Sequence, residues 1–295
     1  MGAQKLLPLT LYARKPSKQV AQILANVCQY LQDQKIDYAV EAESAKLHSL
    51  SGIPTRPLVQ VTDGLLISIG GDGSLLQLVE HALAHNLAIT GINAGKVGFL
   101  TDINRENLSE LAAILDGHYI QEPRALLQAQ WEHEGKQTKS IPGLNEIALL
   151  KHNPSKMMHY ALSLHHKVIA NHHADGIIIA TPTGSTAYSL SAGGPILDPA
   201  LSAHLILPVC AHSLSSRPIV LPAESQIQLD ILGPEETECM LCVDGQNQGL
   251  LSPRSSVIIN TLPQSLQLIH PSHYDFYATL QHKLHWEKPN HVKTS

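Results

Sequence analysis

Gly70-Gly71-Asp72-Gly73 sets one carboxylate among three glycines, directly after the apolar run Leu65 to Ile69 and directly before a helical pattern. Glycines carry no Cβ, so their backbone N–H groups can approach an anion closely, and a helix that starts just beyond adds its positive end. That is the local chemistry of a phosphate cradle. A carboxylate repels phosphate, so a loop built only to hold phosphate has no use for Asp72. A loop that must take a proton from an attacking hydroxyl does. The same four residues also read as a plain tight turn, because Gly and Asp are turn residues in any context.

Two further segments carry polar chemistry. The stretch Asp175 to Pro195 runs from an apolar strand pattern into Thr181-Pro-Thr-Gly184-Ser-Thr186-Ala187-Tyr188-Ser-Leu-Ser191 and then Gly193-Gly194. Its hydroxyls and exposed N–H groups suit a ligand rich in hydroxyl, amide and phosphate oxygens, although Ser/Thr-Pro-Gly clusters also form ordinary loops. Asn145-Glu146 enters another strand pattern and sets an amide beside an acid, fit for adenine edges or ribose hydroxyls. Cys239-Met-Leu-Cys242 has zinc-like spacing, but no second pair follows it, and in a strand those side chains face opposite sides. The adjacent pairs His165-His166 and His172-His173 likewise point apart if they lie in strands, so no metal site from protein side chains is expected.

The elements that must position these groups follow from periodicity. Val20, Ile23, Leu24, Val27, Cys28 and Leu31 predict a surface helix over 17–34. A strand over Leu65 to Ile69, a helix over 74–86, a strand over Ala88 to Ile92 and a helix over 104–116 stopped by Gly117 follow it. Alternating strands and helices predict an α/β domain with a parallel sheet and flanking helices over residues 1–122, with ligand loops at the strand C-termini. Beyond Pro123, strand-sized apolar runs separated by turn residues predict a mostly β domain over 123–273; one of them is read as continuous from Tyr160 to Ala170. The tail, about 274–295, is expected to pack back on the first domain.

Composition sets the outer bounds. A chain of 295 residues with 43% apolar and 15% charged residues buries substantial cores and fits two domains. A net charge of −5 without a Lys/Arg run argues against nucleic acid as a partner. No stretch approaches the ~20 apolar residues of a membrane span, and Leu6 to Ala13, broken by Pro8, is too short for a signal peptide. The reading is a cytoplasmic protein with no membrane partner.

Taken in order, Gly70-Gly71-Asp72-Gly73, Gly91-Ile-Asn93, Gly98-Phe99-Leu100-Thr-Asp102, Asn145-Glu146, Asp175 through Pro195, His212 through Pro218 and Val243-Asp244-Gly245-Gln246 resemble the NAD kinase family, in its Gram-negative-like branch. The resemblance spans nearly the whole chain. It implies transfer of the γ-phosphoryl group of ATP to the 2′-hydroxyl of the adenosine ribose of NAD, giving NADP, with Asp72 as general base. Gly70, Gly71 and Gly73 would hold the ATP phosphates, with Mg²⁺ or another divalent cation carried on ATP. NAD binding is implied for Asp72, Gly73, Phe99, Asn145, Glu146, Lys156, His173, Asp175, Thr186, Ala187, Tyr188, Ser191 and Gln246. His173 stands where Gram-negative relatives often carry Arg, which leaves the choice between NAD and NADH open. Gln246 matches a position contributed by a neighbouring subunit, and the family implies a homotetramer, a dimer of dimers.

Two alternatives share part of this pattern. A lipid kinase of the diacylglycerol or sphingosine type also carries Gly-Gly-Asp-Gly before a helix, but the hydroxyl-rich Thr181 to Ser191 run is a poor lining for an apolar tail. A non-catalytic dinucleotide sensor would need the loops but not Asp72.

Overall fold

The computed structural model describes residues 6–95, 98–133, 135–233 and 238–285. The chain divides into two compact units, residues 1–123 with 266–295, and residues 124–265. Residues 286–295 of the expected C-terminal return lie outside the described residues. No helix among the described residues is long and apolar enough to cross a membrane.

The first unit is built on a sheet whose strand order is Thr55–Arg56, Tyr38–Glu41, Leu9–Tyr12, Leu65–Gly70, Ala88–Asn93, Leu266–Pro271, Tyr119–Arg124, with Ile103–Asn104 also beside Ala88–Asn93. The pairings from Thr55–Arg56 across to Leu266–Pro271 are parallel. Leu65–Gly70 and Ala88–Asn93 are buried along their full length, as central strands covered on both faces must be. The helix Lys18–Asp33 buries Val20, Ile23, Leu24, Val27, Cys28 and Leu31, one stripe at helical spacing, in the core with Leu9, Leu11, Ile67 and Ile69.

Some elements depart from the sequence reading. The single helix expected over 74–86 is two short ones, Asp72–Leu76 and Val79–His85, and the one expected over 104–116 narrows to Ser109–Leu115. Gly117 follows that helix at φ +91°, and His118 N–H donates back to Ala113, so the glycine stop has its left-handed conformation. Leu266–Pro271 joins the first unit's sheet ahead of position 274, because a strand fills the parallel place beside Ala88–Asn93. The helix Phe276–Leu284 follows, capped by the Asp275 carboxylate on the N–H groups of Tyr277 and Ala278.

The second unit carries two six-stranded sheets with antiparallel pairings. One runs Ile219–Pro222, Ala203–Val209, Gly176–Ala180, Glu146–Lys151, Cys239–Val243, Gln246–Leu251; the other Lys167–Ala174, Met158–Leu164, Ile227–Leu232, Ser256–Thr261, Leu127–His133, Lys136–Lys139. Alternate residues of both, including Ile147, Leu149, Ile177, Ile179, Tyr160, Leu162, Leu229 and Ile259, form one shared core. Ile178, Ala180, Leu205 and Cys242 face the other side of the first sheet with Leu197, while Cys239 lies in the shared core, so the two cysteines are on opposite faces.

The run from Tyr160 to Ala170 is two strands, not one. His165 and His166 adopt φ +47° and +65° and form the two-residue hairpin turn between them. In the second unit the strands that periodicity missed, Lys136–Lys139, Ile219–Pro222 and Gln246–Leu251, are edge strands with exposed or polar residues, where burial imposes no alternation.

Candidate active site

In the first unit the strand Leu65–Gly70 ends at the glycine motif, and Asp72 opens the helix that follows. A Cβ on Gly70 would collide with the Ser74 side chain, whereas one on Gly71 or Gly73 would meet nothing within 4 Å. The two glycines flanking Asp72 therefore leave open space along the backbone of the loop, which is what a bulky anion needs. The helix itself has only five residues, so the dipole contribution expected of a long helix is small.

Asp72 is held by a second loop, 98–101. Phe99 N–H donates to Oδ2 at 2.9 Å; Leu100 N–H and Thr101 Oγ1 both donate to Oδ1 at 3.1 Å. A Cβ on Gly98 would collide with both Asp72 Oδ1 and Thr101 Oγ1, so glycine is required there by the carboxylate's own position. Asn93 ties the loop to the neighbouring strand, its Nδ2 donating to Thr101 Oγ1 at 3.1 Å and its Oδ1 accepting Gly95 N–H at 2.7 Å. A carboxylate offers about four lone-pair sites. Among the described residues three donors reach it, two on Oδ1 and one on Oδ2, and Lys283 Nζ lies 3.7 Å from Oδ2.

In the second unit Asn145 and Glu146 sit where three strands meet. Asn145 carbonyl accepts Thr181 N–H at 2.9 Å, Thr181 Oγ1 donates to Leu144 carbonyl at 2.6 Å, and a Cβ on Gly184 would collide with the Asn145 backbone. This close approach joins the Asn-Glu segment to the hydroxyl-rich one. The third partner is Asp244, whose carboxylate accepts the N–H groups of Leu144, Asn145 and Glu146 at 2.8, 2.8 and 2.9 Å. Burial raises Asp244 above the ordinary aspartate range, against the pull of those three donors. Burial, and then the Asp244 charge, push the Glu146 carboxyl up to about 8, opposed by a backbone N–H of Tyr188. Glu146 Oε2 has no hydrogen-bond partner among the described residues. Glu146 is thus a neutral acid at neutral pH, a donor as well as an acceptor.

The hydroxyl-rich run is less available than its composition suggests. Ser185 and Ser189 are fully buried and spend their hydroxyls on backbone carbonyls, and Thr186 Oγ1 donates to Thr183 carbonyl. Tyr188 and Ser191 are exposed, and Ala187, just before Tyr188, is partly exposed. Ser185, Thr186 and Ser189 therefore build the loop, and Tyr188 and Ser191 face outward.

Asp175 lies at the far end of the Gly176–Ala180 strand from Thr181, roughly 20 Å away at ~3.3 Å per residue. There Lys151 Nζ pairs with Asp175 Oδ1 at 2.7 Å, a cross-strand continuation of the Glu146–Lys151 register. Lys156 adjoins Lys151, Met158 and Glu238 at this end. His173 stacks on His159, its cross-strand partner, with ring centroids 4.0 Å apart. Burial, then the neighbouring His173, hold His159 below the ordinary histidine range. Gln246 is exposed, just after the Asp244-Gly245 turn. The structure thus assembles Asn145, Glu146, Ala187 and Tyr188 in one place, and puts Asp175 at the opposite end of the Gly176–Ala180 strand, with His173 two residues before it on the Lys167–Ala174 strand of the other sheet.

Three residues with direct roles in this architecture are given no role by sequence: Thr101 and Asp244, which stand only within longer motifs, and Lys151. Asp244-Gly245 does carry a local signal, an Asp-Gly pair after the apolar run Cys239 to Val243, and its φ values of +47° and +77° are those of a tight hairpin. Among the described residues no three His, Cys, Asp or Glu side chains converge as a metal site.

Comparison with known proteins gives a consistent result. Residues 9–119 match the ATP-NAD kinase N-terminal domain and residues 144–271 the ATP-NAD kinase C-terminal domain. An NAD kinase of Coxiella burnetii (strain Dugway 5J108-111) is 40% identical over 285 residues, 95% of this chain and 94% of the relative. One from Pseudomonas putida (strain GB-1) is 36% identical over 277 residues, 92% of this chain and 93% of the relative. Among solved structures, a yeast NADH kinase complexed with NADH superposes with TM-score 0.87 at 21% identity, over 98% of this chain and 90% of that one. An NAD kinase from Archaeoglobus fulgidus in complex with ATP superposes with TM-score 0.72 at 21% identity, over 93% and 98%. These two show the same fold. With relatives at 36–40% identity along almost its whole length, the chain belongs to the ATP-NAD kinase family.

Proposed function

We propose that this chain transfers the γ-phosphoryl group of ATP to the 2′-hydroxyl of the adenosine ribose of NAD, with Asp72 as the general base. The observation that carries this reading is the state of Asp72: three donors fix its carboxylate, one lone-pair site on Oδ2 is left for an incoming hydroxyl, and the flanking Gly71 and Gly73 are open. A base needs both features, a fixed position and an available lone pair. Family membership sets aside the lipid kinase and sensor alternatives.

The reaction balances around that oxygen. The 2′-hydroxyl proton passes to Asp72 Oδ2 as the ribose oxygen bonds to the γ-phosphorus, and the bond from that phosphorus to the bridging oxygen breaks, ADP leaving with the electron pair. Gly70, Gly71 and Gly73 are assigned to the ATP phosphates, and Gly73 and Phe99 also to the dinucleotide. Mg²⁺ or another divalent cation, carried on ATP, would offset the phosphate charge.

Asn145 and Glu146 are assigned to the adenosine, and Thr186, Ala187, Tyr188 and Ser191 to the wall beside it. Asp175 and Ala187 are assigned to the nicotinamide riboside, Lys156 and His173 to the same dinucleotide, and Gln246 to one held by a neighbouring copy. The reading includes a homotetramer, a dimer of dimers, in the cytoplasm.

The test is ATP-dependent NADP formation by the purified protein, with NADH and inorganic polyphosphate as further arms. Asp72→Asn is expected to keep NAD binding within a few-fold and to lower turnover by ~10²- to 10⁴-fold, the usual loss of a general base. Near-normal turnover in that variant removes Asp72 from the role.

A further inference from the structure

The C-terminal helix brings a cation close to Asp72 Oδ2. Phe276, Leu280 and Lys283 are spaced four and three residues apart on the helix Phe276–Leu284, so they share one stripe. Leu280 is buried, Phe276 sits 6.3 Å from Phe99 between ring centroids, and Lys283 Nζ lies 4.1 Å from the Phe99 centroid and 3.7 Å from Asp72 Oδ2. Phe99 is also the residue whose N–H donates to that oxygen. One aromatic ring therefore steers the ammonium while its own backbone steers the carboxylate.

This placement is a poor stabilising device. Both side chains are about a quarter exposed and their separation exceeds hydrogen-bond distance, conditions under which an ion pair adds little to folding. A lysine in the last turn complements the helix dipole, but that role asks only for proximity to the final carbonyls, not for an ammonium lying over Phe99 toward Asp72. What the placement does suit is the problem noted for Asp72, a carboxylate that must sit beside a polyphosphate.

We propose that Lys283 is a positioning residue for phosphoryl transfer: its ammonium keeps Asp72 Oδ2 turned toward the acceptor hydroxyl and offsets the carboxylate's charge against the ATP phosphates. The proposal rests on the reading of Asp72 as general base. In the resting protein the ammonium lies 3.7 Å from Oδ2; as the hydroxyl approaches that oxygen, the cation is left beside the reacting oxygen, where the γ-phosphoryl group arrives. Its three N–H donors can then divide between carboxylate and phosphate oxygens.

The test is a kinetic comparison of Lys283→Met and Lys283→Arg with the parent protein, and a double-mutant cycle with Asp72→Asn. Lys283→Met keeps the side chain's length and apolar stem, so the helix retains its packing. It is expected to lower kcat roughly 10- to 100-fold and to raise the KM for ATP, the scale of losing one charged contact, while the KM for NAD stays within about two-fold and the melting temperature is unchanged. Lys283→Arg is expected to restore most of the turnover, which a purely apolar packing role would not require. In the Asp72→Asn background Lys283→Met is expected to cost little further, because the residue acts through Asp72. Parent-like kcat and KM for ATP in Lys283→Met overturn the proposal, as do losses that multiply in the double variant, or a matched fall in melting temperature that Lys283→Arg leaves unrepaired. Full turnover in Asp72→Asn alone is the separate result that overturns the base assignment.

Discussion

The carboxylate of Asp244 accepts the backbone N–H of Glu146 at 2.9 Å, and so one acid holds in place the residue that carries another. The geometry is favourable for the backbone and unfavourable for the second charge. Desolvation and this neighbour together keep the Glu146 proton on to about pH 8.

A raised carboxyl in the folded state gives stability that is fully present below the unfolded value of 4.5 and is lost as pH rises through the folded value near 8. The ligand-free protein is therefore expected to resist urea best on the acid side of that window, with the Glu146 contribution declining between about pH 4.5 and 8 and levelling above. Glu146→Gln keeps a neutral side chain at every pH. Its denaturation midpoint should match the parent's at pH 5 and exceed it at pH 9. Equal differences at both pH values would show that Glu146 is ionised throughout.

Asp244→Asn separates the two causes of that shift. An amide keeps one acceptor oxygen and loses the charge, so Glu146 should release its proton at lower pH, yet still above 4.5, because burial is the larger cause. Read as the pH midpoint of the Glu146→Gln stability difference, the window should move down without vanishing. The Leu144 N–H also loses its partner, at a cost of about 1–3 kcal/mol for a buried unsatisfied donor. An unmoved midpoint would mean that the Asp244 charge does not reach Glu146.

How much of this was legible in the sequence follows the distance over which each contact closes. The Gly70 to Gly73 loop, its strand and the helix Lys18–Asp33 are set by neighbours a few positions apart, and spacing alone locates them. The donors to Asp72 come from 27 to 29 positions away and those to Asp244 from 98 to 100, so no local pattern announces either collar. The α/β then β order was readable because each class has its own period; the hairpin at His165-His166 was not, since two non-glycine residues take positive φ there. The hydroxyls of Thr181, Ser185 and Ser189 looked like ligand donors because composition cannot tell a hydroxyl that faces a ligand from one that closes a turn.

Gly184 is required by its contact with the Asn145 backbone, not by an unusual backbone angle. Gly184→Ala would drive a methyl group into that carbonyl, and relief requires the Thr183–Thr186 turn to move away from the Glu146–Lys151 strand. Overpacking of this kind costs typically about 1–3 kcal/mol. A lowered melting temperature together with weakened NAD binding is expected. Parent-like values of both would show that the two segments do not need to touch.

Gly98 makes the corresponding demand in the first unit. A methyl group there meets Asp72 Oδ1 and Thr101 Oγ1, the acceptor and donor of one hydrogen bond, so Gly98→Ala must swing the carboxylate or break its collar. Both are side-chain atoms, so the fold can yield locally and the melting temperature should change little. A misplacement near 1 Å at a reacting group costs on the order of 10² in rate, and kcat should fall by about that factor with NAD affinity within a few-fold. Gly71→Ala is the matched control, because its Cβ points into open space. Its methyl group would leave Asp72 in place and crowd only the region assigned to the ATP phosphates, raising the KM for ATP more than it lowers kcat. If both variants lose kcat alike, the position of Asp72 is not what Gly98 protects.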